Sequence, residues 1–117
     1  STVYFYGENN EKRNNLIDYL SSENFQNDIV FGRKDIGYLS NGPQNFIQVD
    51  DYFKKEKFNI IKFNNLVKKY RPKFLVISLR RSELSSADVH RIKNILENIN
   101  FKSIRNFGDF ILFRNYN

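Results

Sequence analysis

Apolar positions recur along this chain with two periods, and the switch between them marks out the elements. Residues 2–6 are β-branched and aromatic and stop at Gly7, which predicts a strand. Residues 9–22 place Leu16, Ile17 and Leu20 on one face with polar residues opposite, which predicts a helix. A second short strand is expected over 28–31, closed by Gly32. Residues 35–39 suit a single helical turn, and Asn41-Gly42-Pro43 breaks the chain. A third strand over 46–49 ends at the pair Asp50-Asp51.

The second half is more regular. Ile60, Phe63, Leu66, Val67 and Tyr70 repeat at three and four residues, and Pro72 follows where a helix must stop. Residues 73–79 have a nearly continuous apolar centre, the pattern of a strand covered on both faces. Ser85 and Asp88 have the spacing of a capping box, ahead of a stripe of Val89, Ile92, Ile95, Leu96 and Ile99. Residues 101–107 and 110–114 flank Gly108-Asp109 and read as a β-hairpin. The order β-α-β-turn-β-α-β-α-β-β predicts one α/β domain over residues 1–117. Its expected form is a Rossmann-like, mainly parallel sheet with helices packed on it and a C-terminal antiparallel hairpin at its edge.

Composition narrows the chemistry. The chain has 117 residues and is 40% hydrophobic and 16% aromatic, enough for one buried core. It has no cysteine, which excludes thiolate metal sites, disulfides and cysteine nucleophiles. Its one histidine, His90, sits beside the apolar stripe of a helix and is expected to face solvent, so a serine triad or a multi-histidine metal site is not expected. No run of about 18 apolar residues predicts a membrane-spanning helix. Heavy use of asparagine, lysine, isoleucine, phenylalanine and tyrosine fits an AT-rich genome, and no function is drawn from the asparagines. Lacking methionine and opening almost at once on a strand, the chain suits a domain excised from a longer protein. The net charge of +6 favours anionic partners without naming one.

Gly7 is followed by no further glycine before Gly32, so the glycine turn of a dinucleotide site cannot form, and there is no Walker sequence. Asp50 and Asp51 fall at a predicted strand end, where α/β sheets hold ligands, but neighbours on a strand point to opposite faces. The simpler expectation is that one of them caps a short turn at Tyr52. A nuclease would need a D/E-x-K triplet on a second strand, and none is present. Lys68, Lys69, Arg71 and Lys73 suit a helix C-terminus. Arg33, Lys34, Arg80 and Arg81 follow two strands at the same edge and could form a phosphate pocket. A nucleic-acid face would need basic and aromatic residues interleaved on one surface, and no helix carries such a stripe. No catalytic residue, metal site or cofactor is expected in this chain.

The run from Asp28 to Tyr38, then Phe46-Ile-Gln-Val-Asp-Asp51, Tyr70-Arg-Pro-Lys-Phe-Leu-Val-Ile77 and Gly108-Asp-Phe-Ile-Leu-Phe-Arg114, resembles one known pattern. It is that of the C-terminal soluble domain of multi-spanning, polyprenyl-phosphate-sugar-dependent glycosyltransferases. These are the enzymes related to protein O-mannosyltransferases and aminoarabinose transferases. The resemblance covers about residues 14–114 and rests on strand-end patterns, none of them a catalytic signature. It implies a non-catalytic accessory domain on the extracytoplasmic side of the membrane, beside the transmembrane part of its parent chain. Such a domain would cover the catalytic cavity or help present the acceptor, and its charge would suit anionic lipid head groups. The contact residues expected are Arg33, Lys34, Asp35, Tyr38, Asp50, Asp51, Arg80 and Arg81. Two other readings stay open: a stand-alone cytoplasmic module that binds a phosphorylated small molecule, and, less favoured, a nucleic-acid-binding domain.

Overall fold

The computed structural model describes residues 10–23, 28–33, 36, 45–80 and 82–117. Among them run α1 (Asn10–Glu23), β1 (Ile29–Gly32), β2 (Asn45–Gln48), a 3-10 turn (Asp50–Phe53), α2 (Ile60–Tyr70), β3 (Phe74–Ser78), α3 (Ser86–Asn98), β4 (Phe101–Phe107) and β5 (Phe110–Asn115). The strand expected over 2–6, the turn over 35–39 apart from Ile36, and the break at 41–43 lie outside the described residues.

The strands form one five-stranded sheet in the order β2-β1-β3-β5-β4. β1 pairs in parallel with β2 and β3, whereas β5 pairs antiparallel with both β3 and β4. The sheet is therefore mixed, where a mainly parallel one was expected. The cause is the final pair of strands. β4 lies outermost, and the two-residue turn at Gly108-Asp109 sends β5 back between β4 and β3, so antiparallel pairing reaches the centre.

Helices cover both faces. On one, Leu16, Ile17 and Leu20 of α1 pack with Val30, Phe74, Val76, Phe107, Phe110 and Leu112. On the other, Phe63 and Val67 of α2 and Ile92 and Leu96 of α3 pack with Phe31, Leu75, Ile77, Phe101, Ile111 and Phe113. All five residues of β3 are buried, as its continuous apolar run requires. Rings meet edge-to-face at Phe31–Phe63, Phe53–Phe63 and Phe63–Phe101, the preferred geometry for aromatic pairs.

The helix ends follow from local chemistry. The Asn59 side chain accepts from the Ile61 and Lys62 amides at 3.0 and 3.1 Å and so opens α2. Arg71 closes α2 in the left-handed region (φ 48°), donating its amide to the Val67 carbonyl, and Pro72 prevents continuation. Ser85 and Asp88 form the expected reciprocal capping box at α3. No described helix is long and apolar enough to cross a membrane.

Candidate functional site

The connections after β1 and β3 diverge. From β1 the chain moves outward to β2, and from β3 it moves the other way, through α3 to β4 and β5. Their C-terminal ends therefore bound the crevice in which open α/β sheets hold ligands. Arg33 follows β1 directly and Ser78 ends β3. The guanidinium donates to Ser78 Oγ at 3.1 Å and lies 5.1 Å from the centre of the Phe110 ring. Only 5% of Arg33 is exposed, so this cation is built into the fold. Asp50, Lys54, Ser78 and Ser82 complete the walls of a cavity of about 20 Å³, room for one water molecule and not for a phosphoryl group.

The aspartate pair lies past the end of β2, inside the 3-10 turn rather than on a strand, and neither residue caps that turn. Val49 occupies the cap position without a side-chain bond, and Asp50 and Asp51 lie inside the first turn. Asp51 points outward and pairs with Lys54 at 2.8 Å. That contact, through hydrogen bond and charge, raises the Lys54 pKa above its ordinary value. Asp50 turns one carboxylate oxygen inward, where it is buried without a hydrogen-bond partner among the described residues. Arg80 is half-exposed and reaches Asp109 at 3.8 Å. The Ser82 hydroxyl donates to the Leu79 carbonyl and accepts the Leu84 amide, which fixes Ser82 at the cavity wall. Four of the eight sequence-derived contact residues, Arg33, Asp50, Asp51 and Arg80, thus lie around this edge, with Arg33 and Asp50 on a common cavity. Lys34, Asp35, Tyr38 and Arg81 lie outside the described residues.

The larger concavity is at the opposite end of the sheet. A groove of about 630 Å³ is lined by Asn64, Lys68 and Arg71 from α2 and its cap, Pro72 and Lys73 ahead of β3, Asn98 and Asn100 at and just past the end of α3, and Asn115 and Asn117 at the end of β5. Its size is that of a small-molecule site. Several amides hold the walls together. Asn115 Nδ2 donates to the Pro72 carbonyl at 2.8 Å, Asn117 Nδ2 to the Ile99 carbonyl at 2.9 Å, and Asn100 Nδ2 to Asn117 Oδ1 at 3.1 Å. Lys73 is engaged by Asp28 at 3.2 Å, whereas Lys68 and Arg71 pair with no carboxylate among the described residues. With these amides spent on the walls, the groove offers a ligand chiefly the cations Lys68 and Arg71, which suit an anionic group.

Composition had assigned these asparagines to codon usage, and their number alone carries no position. The signal available in the sequence was the placement of four of them within two residues of the end of a helix or of the last strand: Asn98, Asn100, Asn115 and Asn117. Among the described residues no group of three His, Asp or Glu could hold a metal ion. No protein-family model, curated protein or solved structure matches the chain.

Proposed function

We propose that this chain is the non-catalytic, extracytoplasmic accessory domain of a multi-spanning glycosyltransferase that uses a polyprenyl-phosphate sugar. In this reading it covers the catalytic cavity or helps present the acceptor to the membrane part of the parent chain. The observation that carries it is the open, asparagine-walled groove in which Lys68 and Arg71 stand without a carboxylate partner among the described residues, chemistry suited to a sugar phosphate. The strand-end pattern shared with such domains supports the same assignment, and we read the fold accordingly as Rossmann-like with β4 and β5 as a terminal hairpin. A stand-alone module gripping a phosphorylated compound at Arg33, Lys34, Arg80 and Arg81 is the weaker reading. It would need space at the other end of the sheet, where Arg33 is buried beside a cavity of about 20 Å³.

The test is the size and location of the native polypeptide. An antibody raised against this chain is applied to separated membrane and soluble fractions of the source cells. The expected result is a band several times larger than 14.0 kDa in the membrane fraction. A soluble band near 14.0 kDa overturns the proposal.

A further inference from the structure

We propose that the face of β4 and β5 carrying Lys102, Arg105, Arg114 and Tyr116 docks on an anionic membrane surface. On a regular strand Lys102 and Arg105, three positions apart, would point to opposite faces. They do not, because the pairing register shifts between Ser103 and Arg105: Ser103 stands opposite Phe113 and Arg105 opposite Leu112, leaving Ile104 as an extra residue. Leu112 belongs to the core under α1, and Ile104 packs against that same core. The bulge therefore turns Arg105 onto the α1 face. Lys102 joins it there, opposite Arg114, which in turn stands opposite Phe74 of the same core.

The resulting surface is cationic and aromatic. The Arg105 guanidinium lies 4.7 Å from the Phe107 ring centre and 5.7 Å from that of Tyr19. Arg114 and Lys102 flank the Tyr116 ring at 5.7 and 5.9 Å. Tyr116 is 55% exposed. None of the three cations pairs with a carboxylate among the described residues. Lys102 and Arg114 are like charges on directly paired residues, an arrangement that costs stability unless an anion lies over both.

The patch lies at the outer edge of the sheet, beside α1, and tyrosine beside cations is what a membrane interface accommodates. Single-stranded nucleic acid would want several open rings to stack on. On this face Phe107 is buried, Tyr19 is partly buried, and Tyr116 alone of the three is open. The inference rests on the membrane-side reading above for its choice of lipid over other polyanions.

The 117-residue chain is sedimented with vesicles of phosphatidylcholine alone and with phosphatidylglycerol added. Binding is expected only to the mixed vesicles, falling as salt rises. Each cation at the surface is worth about fivefold in affinity, so Lys102→Gln with Arg105→Gln should weaken binding by about 25-fold. Lys55→Gln with Lys57→Gln removes the same charge elsewhere and should leave binding nearly unchanged. As a readout that needs no variant, vesicles should slow chemical acetylation of Lys102 and not of Lys57. Failure to bind mixed vesicles, equal weakening by the two pairs, or equal protection of both lysines overturns the proposal. So does tighter binding to a single-stranded oligonucleotide that is lost with Lys102→Gln and Arg105→Gln. Those outcomes leave the fractionation result standing, and a soluble native polypeptide would overturn the transferase reading even where vesicles bind.

Discussion

Gly32 closes β1 immediately before Arg33, and its substitution tests how tightly the centre of the sheet is packed. Its backbone is not in the left-handed region, so the reason for glycine here is space. A Cβ added to it would lie 3.0 Å from Phe46 Cζ, 3.2 Å from Val76 Cβ and 3.4 Å from the Val76 carbonyl oxygen. In Gly32→Ala, a buried methyl contributes about 0.8 kcal/mol and the stiffer unfolded chain about 0.4–1 kcal/mol, both favouring the variant. Forcing a methylene into a filled core works against it by about 1–3 kcal/mol. The crowding wins because Val76 Cβ is fixed to the backbone of a strand paired on both sides and cannot retreat. With crowding near the top of its range, about 2.5–3 kcal/mol, the expected outcome is a net loss of about 1 kcal/mol, a fall of about 4 °C in Tm for a domain of this size. Urea and thermal denaturation measure it.

Phe46 supplies the control. Its ring tip is the nearest atom to the added carbon and sits on the outermost described strand on that side. Phe46→Leu removes that atom, so the double variant should be more stable than the sum of the two single losses by at least about 0.5 kcal/mol. Strict additivity, or a Gly32→Ala protein at least as stable as the parent, would refute the packing argument.

Three further outcomes are expected. Ser85→Ala removes half of the α3 capping box and should cost about 1 kcal/mol, read by chemical denaturation; no loss would mean that the box does not hold the helix. The Ser85 backbone amide, followed by its hydroxyl, holds the Asp88 carboxyl below its ordinary 3.8. A depressed carboxyl contributes its stability above the ordinary value and loses it as pH falls through the folded one, so the Ser85 amide resonance should titrate with a midpoint under 3.8. A midpoint at or above 3.8 rejects the cap geometry. Finally, if Arg33 is structural, ten millimolar inorganic phosphate should leave Tm unchanged; a millimolar site there would instead add about 1.4 kcal/mol.

Much of the fold could be read from local pattern because local physics decides it. The continuous apolar run of β3 announced cover on both faces, the three-and-four repeat of α2 fixed its bounds, and Ser85 with Asp88 fixed the start of α3. The mixed character of the sheet could not be read this way. Whether β4 or β5 lies next to β3 depends on long-range pairing that neither strand's own residues encode. Phe101–Phe107 is broken by exposed and half-buried positions, whereas Phe110 to Phe113 are all buried. A fully buried run belongs between two strands and a broken one at an edge. That contrast was the available clue to which of the pair goes inside.

The candidate sites divide along the same line. Sequence placed Arg33 at a strand end, but whether a cation there is open to a ligand depends on what lies across the crevice. Here Ser78 and Phe110, contributed from 45 and 77 positions further along the chain, enclose it. The same logic runs in reverse for Arg105. Alternation from Lys102 sends it to the opposite face, and only the extra residue Ile104 brings the two cations together. A bulge is a disagreement between two strands over how many residues fill a given length, so it exists in the pairing and in neither strand alone. Charge that sequence shows as scattered is gathered onto one face by that mismatch.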